Sequence, residues 1–162
     1  MTWWSNFPRM FMRNIPPTTF VDTTQIGWIP LSKGLSFKPI YIFPDLSGWQ
    51  LLLRLEPGTV ISRHRHTGEV HAFNLSGTRR LDTGEIVGPG MYVHEPAGNE
   101  DSWEAIGDEP CIVHIEVNGR NEYRDVKGNL IRVADALGAR QDYLNWCRTE
   151  GVEPLPALAG EA

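Results

Sequence analysis

The stretch Arg63-His64-Arg65-His66-Thr67-Gly68-Glu69-Val70-His71 places three of the chain's five histidines within residues 64–71. Side chains of an extended strand alternate between its two faces, so His64 and His66 project the same way and their imidazoles can reach one ion. Thr67-Gly68 reads as a tight turn that returns the chain as a second strand, on which Glu69, His71 and Phe73 share a face. Three imidazoles then converge from neighbouring strands. An isolated His-x-His between two arginines also fits a solvated strand end, so the residues around it decide the reading.

Working outward, Gly58 stands six positions before His64, and Gly77 closes the run after His71. This frame resembles the first motif of the cupin superfamily, G-x5-H-x-H-x3/4-E-x6-G. The slot that usually holds glutamate falls on His71, or on Val70 counted one residue earlier, and Glu69 is near but out of register. Gly90, Pro96 and Gly98 match the second cupin motif, G-x5-P-x-G-x2-H, and its histidine slot falls on Asp101. The resemblance implies a metal site of His64, His66, His71 and Asp101. Such mixed nitrogen and oxygen ligation suits Fe(II), Mn(II), Ni(II) or Zn(II). Asp101 also fits as a turn residue after Gly98. His94 reads as a structural or surface histidine. His114, alternating with Ile112 and Glu116, reads as a barrel-lining partner of the site, or as its ligand if Asp101 points away. Trp49, Phe73 and Trp103 are candidates for an aromatic wall, a role that large aromatics in strands share with plain core packing.

From about residue 38 to 118 short β-type runs alternate with Gly, Pro, Asn and Asp turns, as an all-β barrel or sandwich requires. The runs are 38–43, 49–55, 60–66, 69–76, 78–81, 91–95, 101–106 and 111–117, about eight strands. Together with the motifs they predict an all-β cupin, a jelly-roll-type β-barrel with a C-terminal α-helix. The helix is expected from about Leu130 to Arg148, where Val133/Ala134, Leu137, Leu144 and Cys147 follow helical spacing and Gly138 weakens the middle. We divide the chain into an arm (1–20), a barrel (21–128) and a helix with tail packed on the barrel (129–162). Trp3, Trp4, Phe7, Met10, Phe11 and Met12 make the arm too apolar for a free tail, which predicts docking on a second subunit and a homodimer.

The 162 residues fit one domain, with 41% hydrophobic and 22% charged residues as in ordinary globular proteins. A net charge of −5 without a Lys/Arg run argues against nucleic acid as a partner. No apolar stretch is long enough to span a bilayer and no secretory leader is evident, so the reading is a cytoplasmic protein without membrane association. Phosphate-cradling glycine loops and nucleophile elbows are missing, so nucleotide chemistry is not indicated. Cys111 and Cys147 read as buried thiols.

A longer pattern is similar to the single-domain cupins related to 2,4'-dihydroxyacetophenone dioxygenase and to the ChrR-type cupins. It is carried by Trp28-Ile29-Pro30-Leu31, Ser36-Phe37-Lys38-Pro39, Leu55-Glu56-Pro57-Gly58-Thr59, Arg63 through His71, and Glu95-Pro96-Ala97-Gly98. The resemblance implies a metal-dependent dioxygenase, with Fe(II) favoured and Zn, Mn or Ni as alternatives, that binds a small aryl hydroxyketone or diketone and uses O₂ to cleave a carbon–carbon bond. Under it, Glu69 or His114 moves protons. A non-oxidative metal-dependent lyase, isomerase or cyclase, and a metal-bearing sensory module, are the alternatives.

Overall fold

The structure is a computed structural model, described here for residues 18–160. The predicted arm, with its apolar cluster, lies outside the described residues save its last three positions. Among the described residues twelve strands form: β1 (Ile29–Ser32), β2 (Leu35–Ile42), β3 (Gly48–Leu55), β4 (Val60–His66), β5 (Val70–Ser76), β6 (Thr78–Leu81), β7 (Ile86–Val87), β8 (Tyr92–Glu95), β9 (Glu100–Ile106), β10 (Cys111–Asn118), β11 (Asn121–Arg124) and β12 (Leu130–Ala134). They pair antiparallel in two six-stranded sheets, β1-β2-β3-β10-β5-β8 and β12-β11-β4-β9-β6-β7. The class is the expected all-β jelly roll. Its form is a two-sheet sandwich rather than a closed barrel, and short strands in what read as loops raise the count above eight.

Alternation builds the core. In β10, Cys111, Val113, Ile115 and Val117 are buried while the residues between them are half-exposed. Asp101, Trp103 and Ala105 do the same in β9. The two inward faces meet as the layers of a sandwich do.

Leu130–Ala134, expected to begin the helix, is a strand paired with β11. Its Ile131 and Val133 are β-branched and suit a pleated surface better than a helix interior. Helix α1 (Ala136–Glu150) starts only at Asp135, whose side chain accepts the Gly138 N–H at 2.8 Å. Gly138 therefore sits in the first turn, where it costs less than mid-helix. Ala136, Ala139, Tyr143 and Cys147 form the buried stripe of α1, which packs on β1, β2 and β3. Gly151 ends the helix in the left-handed conformation. A last short helix, α2 (Pro156–Ala159), packs on β2 and α1, and Tyr143 Oη accepts the Leu155 N–H just before it at 2.9 Å.

One glycine matters to the site. A Cβ at Gly68 would lie 2.2 Å from the Asn118 carbonyl oxygen. Residues 67–69 cross from one sheet to the other through this narrow passage, so β4 and β5 are not sheet neighbours.

Candidate metal centre

His64 and His66 come from β4, whose register against β9 slips by one residue between Ile61↔Trp103 and His64↔Asp101. The extra residue is a β-bulge, and it lets Ile61 and His64 both face inward although three positions apart. The turn after β8 fixes His66 further: its carbonyl accepts the Gly98 N–H at 2.8 Å, and its N–H donates to Asn99 O at 2.9 Å. Asp101 faces His64 directly across the ladder.

The imidazoles are oriented from behind. His64 Nδ1 donates to Ser62 O at 2.9 Å, and its ring stacks on Tyr123 at 5.1 Å between centroids. His66 Nδ1 donates to Asn121 Oδ1 at 2.8 Å. Both Nε2 atoms thereby turn to Asp101 Oδ1, at 3.4 Å from His64 and 3.3 Å from His66. Glu95 Oε2, from β8 of the opposite sheet, approaches His66 Nε2 at 3.2 Å. All four side chains are buried.

The donor set fits a divalent ion. With metal–ligand bonds of about 2.0–2.2 Å, neighbouring donor atoms lie roughly 3.0–3.5 Å apart, and the separations here are 3.2–3.4 Å. Asp101 Oδ2 is buried without a hydrogen-bond partner, an unsatisfied acceptor that a cation would relieve. The same contacts set how firmly each group holds a proton. Burial opposes charge on His66, but hydrogen bonds from its ring to Asp101 and Glu95 outweigh burial and raise its pKa to about 10. Asp101 is likewise opposed by burial, yet the His66 and Glu95 hydrogen bonds bring it down to about 2. Burial pushes Glu95 up and His64 down.

The structure separates the remaining expected site residues from this group. His71 lies on β5, where Val70 and Ala72 face the core, so parity turns His71 to the outer surface. There it stands beside Glu69 and His94. His114 occupies an outward position of β10, between the buried Val113 and Ile115. Phe73 is exposed, whereas Trp49 and Trp103 line the interior cavity. Glu95 was not singled out from the sequence. Its signal was Val93, an apolar residue on the same face of β8 that marks that face as inward.

His64, His66 and Glu95 border a cavity of about 250 Å³ between the sheets, with Phe37, Leu51, Leu53, Ile61 and Ile115 among its apolar lining. Arg79 also lines it, 1% exposed, with Nε donating to Asn74 Oδ1 at 3.0 Å, the guanidinium 4.7 Å from the Trp103 ring, and Nη2 without a partner. The exposed residues of its lining are Leu31, Arg132, Val133 and Asp142.

Residues 17–118 match the sequence profile of the ChrR cupin-like domain. No curated protein sequence matches the chain. Among solved structures, an RmlC-like cupin protein from Ralstonia eutropha superposes with a TM-score of 0.81 at 26% identity, covering 90% of this chain and 96% of its own. An acetylacetone dioxygenase from Acinetobacter johnsonii gives 0.74 at 15% identity, covering 82% and 95%. ChrR of Rhodobacter sphaeroides, in its complex with SigE, gives 0.52 at 20% identity, covering 57% and 49%. The last two likenesses show the fold. No helix among the described residues is long and apolar enough to cross a membrane.

Proposed function

Since the chain belongs to the ChrR cupin-like domain family, a branch of the cupin superfamily, we propose that it is a mononuclear metal enzyme acting on a small molecule in the interior cavity. The reaction we favour is Fe(II)- and O₂-dependent cleavage of a carbon–carbon bond in an aryl hydroxyketone or β-diketone. One observation carries this reading: the imidazoles of His64 and His66, which line a largely apolar cavity, converge with the carboxylate of Asp101. Two histidines with one carboxylate are the ligand combination of non-haem Fe(II) oxygenases. The fold is also that of the acetylacetone dioxygenase.

His64, His66 and Asp101 would hold the metal, with Glu95 as a further donor or an acid–base group. A bound Fe(II) supplies a Lewis-acidic centre for a pair of substrate oxygens and the redox capacity that oxygen chemistry needs. The protein does the rest. The apolar lining excludes water and accepts an aryl or alkyl body. Glu95 is pushed up by burial, which suits it to take a proton from an acidic C–H or O–H of the substrate. Arg79 brings a cation to a wall where an enolate would carry negative charge. Ser62 O and Asn121 Oδ1 keep both imidazoles in the tautomer that presents Nε2.

A second reading rests on Glu95 specifically. With a buried carboxyl to move protons, the same site serves a non-oxidative lyase, isomerase or cyclase in which O₂ has no part. Oxygen uptake by Fe(II)-loaded protein with a panel of aryl α-hydroxyketones and β-diketones separates the two. Uptake that follows substrate and is lost in His64→Ala is the expected result. Iron-loaded protein that consumes no oxygen with any of them overturns the dioxygenase reading in favour of the second.

A further inference from the structure

We propose that the outer face of the β5–β8 pair carries a second divalent-metal site, formed by Glu69, His71 and His94 and suited to a borderline transition ion such as Zn²⁺. It is independent of the interior centre and uses none of its residues.

His71 and His94 are direct partners across the β5–β8 ladder, with ring centroids 5.1 Å apart and planes inclined by 30°. Directly opposite residues of an antiparallel pair project on the same side of the sheet. Both imidazoles therefore stand side by side over it. Glu69, immediately before β5, closes the group: its Oε2 lies 3.5 Å from His71 Nε2 and 3.8 Å from His94 Nε2. One donor atom from each of the three falls within 4.8 Å of the others. Tetrahedral zinc with bonds of about 2.0–2.1 Å places its donors roughly 3.3–3.4 Å apart, so the long-stemmed Glu69 need approach each imidazole by only a few tenths of an ångström, and rotation of the two exposed rings, whose donor atoms lie within 4.8 Å of each other, closes the third edge.

A separate observation shows that one ligand is already oriented. Tyr92 Oη lies 2.6 Å from His71 Nδ1. With Nδ1–H donating to the phenol oxygen, the Nε2 lone pair is left facing Glu69 and His94, the arrangement that metal-bound imidazoles take from a partner on their far nitrogen. The three side chains are 36%, 43% and 58% exposed for His71, His94 and Glu69, which leaves room for water at the remaining position.

The location gives the ion a task. β8 is the edge of its sheet. An ion shared by Glu69, His71 and His94 ties that edge strand to β5. On the opposite side of the same ladder, the neighbouring pair Val70↔Glu95 faces the cavity. The outer ion thus braces the strand that delivers Glu95 to the interior.

The test is a Zn²⁺ titration of chelator-stripped full-length protein against a chromophoric competitor. Wild type is expected to take two equivalents, His64→Ala to keep the outer one, and His94→Ala to keep the inner one. Tyr92→Phe should weaken the outer site about tenfold without touching the inner. Glu69→Gln, an exposed change with little bearing on folding, should weaken it as well. Unchanged stoichiometry and affinity in His94→Ala and Glu69→Gln overturns the proposal, as does a wild type whose bound zinc is all lost in His64→Ala.

Discussion

Glu95 lies directly across the β5–β8 ladder from Val70, and its carboxylate reaches His66 Nε2 at 3.2 Å. Val70 is one of the two positions on which the cupin glutamate slot falls, and it faces the cavity. The carboxylate missing from β5 is thus supplied by the adjacent strand at the same level of the sheet. Removing it by Glu95→Val should lower the affinity of the interior site for a divalent ion by at least about tenfold, since even partners behind the ligands are worth that much. Adding Val70→Glu to Glu95→Val should recover most of the loss. Competition with a chelator measures both.

Metal removal should destabilise the fold. Asp101 Oδ2 has no partner without an ion, and a ligand bound only by the folded state at about 100 times its Kd adds roughly 2.7 kcal/mol. Chelation is expected to lower Tm by several degrees, and restoring the ion to reverse it. In Asp101→Asn that metal-dependent increment should disappear, as a thermal melt with and without chelator would read.

The metal-free protein should also lose stability as pH rises. His66 is held at about 10 against an ordinary 6.5, so the folded state keeps a proton that the unfolded chain releases. That contribution is complete below 6.5 and is lost as pH rises through about 10. Glu95, raised by burial, acts in the same direction. His64, lowered by burial, acts oppositely, but its contribution is already full above 6.5 and changes nothing there. Asp101 withdraws its contribution only as pH falls from 3.8 through about 2. The expected result is a Tm that declines between pH 6.5 and 10 in chelator, and a shallower decline in His66→Gln.

Gly68→Ala should destabilise by about 1–3 kcal/mol, the usual cost of forcing atoms into a filled space. The added Cβ would meet a backbone oxygen, which cannot rotate away as a side chain would. Because the passage lies between His66 and Val70, the same change is expected to weaken metal retention. Urea unfolding and metal content after gel filtration check the two effects.

Much of this architecture was legible in the chain. The inward pair His64 and His66 follows from strand parity, and Asp101 from its place after Pro96 and Gly98. Read as a link between neighbouring strands, the turn at Thr67-Gly68 brings His71 to the same ion. It joins two sheets instead, and the parity of β5 is set by Val70 and Ala72. Glu95 went unnoticed because β8 is short and His94 is the more conspicuous residue. The strand Leu130–Ala134 was hidden by a spacing that also fits a helix, and pairing with β11, a long-range contact, decided between them.

The cavity has two kinds of wall from different parts of the chain. The ion-facing side chains come from β4, β8 and β9, while the exposed lining residues are Leu31 of β1, Arg132 and Val133 of β12 and Asp142 of α1. Substitutions at these exposed positions can alter what enters the cavity while leaving the ion-facing side chains in place.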